Sequence, residues 1–466
     1  MTRRTLALVA LCGGAFLGFL DATIVNVAFP DIRASFPEAG TSELSWILDG
    51  YFIALAAFLI PAGGIADRIG RRRVFVGGIA AFSIASALCA LAPTWETLIA
   101  ARILQGLAAA VATPSSLALL LPLFPVERRA QGVGIWGASA ALAAACGPPL
   151  GGLLVEVADW RWIFLVNLPL GLLVVLVALR TLDEQRDERA TGLPDLGASV
   201  LAALGLGLLA LAIVEGERWG WTSAGTLGSA AAAVVLTALV ARRCATHPRP
   251  LVDPALLRFA GFRWGNLGTL LFAMAFFATI LGNILFLTGV WRYSVLDAGL
   301  ATVPGPLASA IVAGPAGRLA DRLGHRAVIV PGALVYACGL LLLRGAGSEP
   351  DWVGTWLPAM TLTGIGIGLA FPTLGAAAAA DVPPERFGVA SAVNGAFRQF
   401  GAVLGTAILV AIVGEPTTLA AASAAADDGY LFGIVAALLA GGAALALRPR
   451  ARPASVDPVP EPAAAG

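Results

Sequence analysis

The sequence predicts an all-α polytopic membrane protein with 6+2+6 transmembrane helices arranged as two pseudo-symmetric bundles. Three observations predict it. The chain of 466 residues is 58% hydrophobic and only 13% charged, with a mean hydropathy of +0.85, more apolar surface than a soluble domain needs. Fourteen apolar runs are separated by short charged or Pro/Gly-rich connections, and about 20 apolar residues suffice to cross a hydrocarbon core. One charged hairpin occurs twice, as Asp67-Arg68-Ile69-Gly70-Arg71 and Asp321-Arg322-Leu323-Gly324-His325, each time after a long apolar run. Such a repeat marks a duplicated chain whose halves can rock about a shared site.

The first six runs lie near residues 5–29, 45–66, 74–92, 96–121, 131–155 and 162–180. Two extra runs follow at 196–214 and 225–242, then a second six at 265–290, 299–317, 327–345, 353–379, 387–412 and 429–447. Run one opens after Arg3-Arg4 as a secretion signal does, but it continues past Asp21 without a small-residue cleavage site and reads as an uncleaved span. Runs two and three flank the first hairpin. Run four ends at Pro125-Val126-Glu127-Arg128, which Pro384-Glu385-Arg386 matches after run twelve, so the repeat extends beyond one motif. The charged segment Asp183 to Arg189 reads as a solvated linker before the extra pair, and the Pro/Ala-rich tail from Arg448 reads as disordered. The expected division is an N-terminal six-helix bundle (1–180), linkers plus two central helices (181–261), a C-terminal six-helix bundle (262–447) and a disordered cytoplasmic tail (448–466).

The net charge of +1 carries no information about partners, but its distribution does. Every basic residue is Arg, and with both termini cytoplasmic 23 of the 30 fall in cytoplasmic segments, as the positive-inside rule requires. Nine of the 11 tryptophans fall at external span ends or loops under the same orientation; Trp136 and Trp264 do not. The five cysteines show no CxxC spacing, so neither a disulfide nor a metal site is expected.

A few charges lie inside spans. An Arg within hydrocarbon costs at least about 2.5–3.5 kcal/mol on insertion scales, so Arg102 is expected to face the bundle interior with an anionic partner. Counted at a rise of about 1.5 Å per residue, Arg102 lies roughly 9 Å, Asp21 roughly 12 Å and Asp49 roughly 6 Å from the external span ends. All three fit one layer, and they are the expected proton-coupling cluster, with Asp21 as carrier. Burial raises a carboxyl group's affinity for protons and a nearby Arg lowers it, so alternating access can change which effect dominates. Arg398 lies close to the midplane of run thirteen and is free to meet an anionic substrate group or to compensate Asp21. With Asn26, Gln105 and Asn167 it makes up the expected substrate cavity. Gly147-Pro148-Pro149-Leu150-Gly151-Gly152 combines a Pro bend with a small face suited to close helix contact.

These residues resemble a known family. The hairpin Gly63 to Arg72, the first-span stretch Leu20-Asp21-Ala22-Thr23-Ile24-Val25-Asn26-Val27-Ala28-Phe29-Pro30 and the sixth-span stretch Trp160 to Pro169 are similar to motifs of the major facilitator superfamily, in particular its fourteen-span drug:proton antiporters. The resemblance implies the major facilitator fold and a proton-driven antiporter in a bacterial cell membrane. Its expected partners are lipid, a small-molecule substrate and protons, with no nucleic acid and no cofactor, and it is expected to act as a monomer. It implies a gating latch at Gly63, Asp67, Arg68, Gly70, Arg71, Asp321, Arg322 and Gly324, and an antiporter motif at Gly147, Pro148, Gly151 and Gly152. The alternative is a proton-independent uniporter or importer of a small polar solute with the same fold. A chain without Lys has no Walker lysine for ATP, and no intramembrane His/Glu cluster suggests an enzyme.

Overall fold

The computed structural model describes residues 2–125, 129–186, 195–383 and 386–447. Among these, fourteen helices are long and apolar enough to cross a membrane. They are α1 (Arg3–Ser35), α2 (Thr41–Ile69), α3 (Arg71–Ala90), α4 (Trp95–Leu123), α5 (Gly134–Val157), α6 (Trp162–Thr181), α7 (Leu196–Val214), α8 (Ala224–Thr246), α9 (Ala260–Gly289), α10 (Val295–Leu323), α11 (Arg326–Arg344), α12 (Trp352–Ala380), α13 (Phe387–Val413) and α14 (Leu419–Leu445). Residues 126–128 and 384–385 of the second repeat signpost, 187–189 of the linker and the tail from 448 lie outside the described residues.

Helix pairing repeats between the halves. In the first, α2 packs on α4, α3 on α4 and α6, and α1 on α5, α6 and α4; in the second, α10 packs on α12, α11 on α12 and α14, and α9 on α13, α14 and α12. The contacts between halves obey the same exchange: α2 meets α13, α5 meets α10, and α1 meets α9 at the centre. The extra helix α7 lies against α2 and α13, while α8 packs on α7.

The two halves touch at the end opposite the hairpins. There a Cβ on Gly152 would lie 2.6 Å from Leu296 Cα and 2.8 Å from Val295 O, so only a residue without a side chain lets α5 approach α10 this closely. Phe52 of α2 meets Phe277 of α9 with ring centres 5.1 Å apart, and Glu415 beyond α13 accepts the Thr41 amide at 3.1 Å. Toward the hairpin end, Gly134 and Gly137 of α5 and Gly314 and Gly317 of α10 have open space where a side chain would project.

Both hairpins form the same cap. Gly70 and Gly324 take φ of 125° and 90°, values that favour glycine, and each donates its N–H to the carbonyl four residues back at 2.9 Å. Asp67 of α2 pairs with Arg71, the first residue of α3, at 2.7 Å, because the turn at Gly70 brings the residue four positions on back to the carboxylate. Arg72 donates to Leu179 O at 2.6 Å and Arg73 lies 3.7 Å from Glu184. The start of the linker is not free: Glu184 accepts the Arg72 and Arg73 amides at 3.1 and 3.3 Å, an anion at the N-terminus of α3 where the helix dipole favours one. Helix α14 begins at Leu419, ten residues before the expected 429, because Asp427-Asp428 interrupt the hydropathy without interrupting the helix.

At the hairpin end the extra pair is held by Asp195. Its side chain caps α7 through Ala198 N at 3.0 Å and accepts Arg243 Nε and Nη2 at 3.0 and 2.8 Å. The Arg243 hydrogen bonds hold the Asp195 carboxyl below the usual carboxylate range. A carboxyl lowered in the folded state stabilises fully above its unfolded value of about 4 and loses that contribution as pH falls through the lower folded value.

Two outcomes follow from this architecture. The difference in melting temperature between wild type and Asp195→Asn should be constant from neutral pH down to about pH 4 and shrink toward zero in stronger acid; a difference that grows in acid would contradict it. Gly152→Val should cost about 1–3 kcal/mol through overpacking and lengthen the distance between spin labels at Glu38 and Thr417, across the closed end. An unchanged distance distribution would show that the α5–α10 approach does not hold that end shut.

Candidate functional site

A charged network lies inside the first half, assembled from five helices. Asp21 of α1 and Arg102 of α4 are both fully buried, and Arg102 Nη1 reaches Asp21 Oδ2 at 2.5 Å. The other carboxylate oxygen accepts Gln105 Nε2 at 2.8 Å and Asn167 Nδ2 at 3.1 Å. Ser86 of α3 closes the group, accepting Gln105 Nε2 at 2.8 Å and Asn167 Nδ2 at 3.3 Å. The guanidinium is satisfied further by the Gln105 carbonyl oxygen at 2.5 Å and by Ile47 O at 3.0 Å. It also lies 4.2 Å from the centre of the Tyr51 ring, a cation–π contact strengthened by the absence of water. The sequence explains this convergence: Arg102 and Gln105 are three residues apart and share one face of α4, and an arginine in an apolar bundle turns toward the acid that offsets its desolvation.

The structure brings Asp21 and Arg102 together and leaves Asp49 apart. Asp49 is fully buried, and neither carboxyl oxygen has a hydrogen-bond partner among the described residues. The reason is helical register. Ile47 and Tyr51 turn toward Arg102, and Asp49 lies two residues, roughly 200° of rotation, from Ile47. The face of α2 that includes Asp49 is directed between α13 and α7, since Phe52 contacts α9, Leu59 approaches Gly395 of α13, and Ile53 reaches toward Gly207 of α7.

Three expected cavity residues are placed differently. Gln105 and Asn167 are completely buried within the charged network, and Asn26, 3% exposed, donates to Ala22 O at 2.9 Å on its own helix. A buried amide in an apolar bundle is satisfied by the nearest acceptor, and here that acceptor lies inside the half. Arg398 alone of the four remains half-buried at the seam, its guanidinium 5.3 Å from the centre of the Phe19 ring of α1. Ser86 and Tyr51 were missed; a small hydroxyl and a tyrosine in apolar runs give no signal until the arginine's position is known.

The Gly-Pro motif divides between two neighbours. Gly147 and Gly151 lie against Thr23 and Ile24 of α1, while Pro148 and Gly152 lie against Gly299 and Leu296 of α10. The motif therefore touches both the helix that carries Asp21 and the opposite half. The second half contains a neutral counterpart to the charged network: Tyr430 Oη donates to Asn283 at 3.1 Å and Tyr336 Oη to Thr279 at 2.9 Å.

Comparison with known proteins follows the fold. The family model described as Major Facilitator Superfamily matches residues 11–255 and 265–465. The chain is 37% identical over 414 residues to the multidrug resistance protein Stp of Mycobacterium tuberculosis (strain CDC 1551 / Oshkosh), covering 88% of this chain and 75% of that protein. It is 36% identical over 408 residues to the methylenomycin A resistance protein of Streptomyces coelicolor, covering 86% and 84%. Among solved structures, a POT family transporter in complex with 5-aminolevulinic acid superposes with a TM-score of 0.68 at 15% identity, covering 94% of each chain, a likeness of fold.

Breaking the buried pair from one side should be costly. Arg102→Ala should destabilise the purified protein by about 3–5 kcal/mol, because it leaves an uncompensated carboxylate, whereas Asp21→Asn/Arg102→Gln should recover much of that loss. Denaturation midpoints in detergent measure both, and a double variant no more stable than Arg102→Ala would contradict the pairing.

Proposed function

The chain belongs to the Major Facilitator Superfamily, and from that premise we propose a proton-driven antiporter that exports hydrophobic or amphipathic small molecules by alternating access. The coarser statement is already secure: this is a multi-pass membrane transporter, not an enzyme, and its relatives are named for drug resistance and export in bacteria. Drugs, antibiotics and the cell's own secondary metabolites make up the proposed substrates.

The observation that carries the reading is the Asp21 carboxylate, fully buried yet held by donors from Arg102, Gln105 and Asn167. Protonating Asp21 removes the charge that Arg102 compensates and frees the guanidinium, so proton binding and rearrangement of the network are one event. Asp21 lies on α1, which borders both the Gly147–Gly152 face of α5 and the central contact with α9, so the rearrangement reaches the surfaces on which the bundles 1–180 and 262–447 move. In the proposed orientation the hairpin end and both termini are cytoplasmic, supported by the 23 of 30 arginines on that side, and the protein acts as a monomer. The open spaces beside Gly134, Gly137, Gly314 and Gly317 then face the cytoplasm. Asp67 and Arg71 are paired within their own hairpin, leaving the latch disengaged. Asp49, enclosed without a hydrogen-bond partner among the described residues, belongs to the same cycle. One charge moved through about 100 mV supplies about 2.3 kcal/mol, enough for a gradient of roughly fifty-fold.

The test is transport in sealed proteoliposomes, followed with N-phenyl-1-naphthylamine. Wild-type flux should fall about tenfold, or about 1.4 kcal/mol, when a protonophore collapses the pH gradient. Asp21→Asn should insert normally and show no response to the gradient. Equal flux with and without the gradient would refute the antiporter and favour a uniporter.

A further inference from the structure

Among the described residues the coupling network leaves the intramembrane cation Arg398 without an anion. Arg398 lies roughly 17 Å from the start of α13 at Phe387 and is half-buried at the seam between the halves. Its contact with the Phe19 ring is its one recorded interaction; among the described residues it has no hydrogen bond and no ion pair. Neither buried acid serves it. Both oxygens of Asp21 are taken up inside the first half, and Asp49 is enclosed with no cation beside it.

The surroundings of Arg398 are aromatic, and the residue is only partly buried. Phe19 meets Trp136 of α5 edge to face, ring centres 6.3 Å apart, and Trp136 is held in place by donating to Ser116 Oγ at 3.0 Å. Gly18, next to Phe19, has open space where a side chain would project. A cation at mid-membrane depth is costly without an anion and marks a functional position. A planar guanidinium also matches a carboxylate with two parallel hydrogen bonds.

We propose that Arg398 receives an acidic group of the transported molecule, and that the substrates are amphipathic anions whose flat aromatic body rests against Phe19 and Trp136. This rests on the efflux reading and specifies its cargo. The loaded protein then has its buried charges matched: Asp21 with Arg102, and Arg398 with the substrate.

The experiment is equilibrium binding of three matched probes to purified protein in nanodiscs of neutral lipid, with no gradient: anthracene-9-carboxylate, anthracene-9-carboxamide and 9-anthracenylmethylammonium. The wild type should bind the carboxylate about tenfold more tightly than the amide and the ammonium most weakly. Arg398→Gln should bring the carboxylate to the level of the amide without altering amide binding, and Arg398→Lys should keep a several-fold preference for the acid. The proposal is overturned if the wild type does not bind the carboxylate saturably, binds all three alike or prefers the ammonium. It is equally overturned if the preference survives Arg398→Gln, or if that variant loses amide binding as well. Loss of gradient-driven export with the acid preference intact would refute the antiporter reading alone.

Discussion

The rest of the structure depends on one ion pair placed where water cannot reach it. Arg102 has no low-energy position in an apolar bundle unless an anion meets it, and Asp21 is that anion, 2.5 Å away. Once the pair forms, the remaining valences of both groups must be met by something other than solvent. Gln105, Asn167, Ser86, the Ile47 carbonyl and the Tyr51 ring meet most of them, leaving Arg102 Nη2 without a hydrogen-bond partner among the described residues. Five helices, α1, α2, α3, α4 and α6, are thereby fixed at one point. The second half repeats the helix pairing but holds its interior with neutral groups, Tyr430 on Asn283 and Tyr336 on Thr279. The symmetry of the fold is thus a symmetry of packing, while the buried ion pair lies on one side of it.

That asymmetry sets what the seam between the halves must do. Its closed end relies on residues small enough for backbone to approach backbone, as at Gly152 and Gly299, and on aromatic contact between Phe52 and Phe277. Contacts of this kind carry no charge and few hydrogen bonds, so separating them exposes apolar surface without leaving buried polar groups unmet. A seam of this composition can open and close while the fully buried ion pair stays dry.

Much of this was legible in the sequence because it depends on properties of single residues. Run length gives the spans, and the recurrence of Asp-Arg-x-Gly identifies the two glycines that adopt positive φ. Depth counting placed Asp21 and Arg102 in one layer, and they meet there. What depth cannot give is rotation. Asp49 shares the layer but faces away, and Gln105 and Asn167 turn into their own half instead of toward the seam. Which face of a helix points where is decided by packing against helices distant in sequence, as Ile53 against Gly207 and Leu59 against Gly395 illustrate. Glu184 was hidden for a similar reason, since a carboxylate in a charged linker looks solvated until the start of α3 is seen beside it.

The placement of the central helices has a consequence for how such a chain can arise. Helix α7 rests on the outside of the α2–α13 contact and α8 rests on α7, with only 11% of its apolar window buried. Neither takes part in the pairings shared by the two halves, and the pair is fastened by local ties: Arg218 to Glu43 and Glu215 at one end, Asp195 to Arg243 at the other. An ancestral twelve-helix duplicate could therefore acquire this hairpin in the connection between its halves without repacking a single inherited interface, and later lineages could vary its outer surface independently of the transport core.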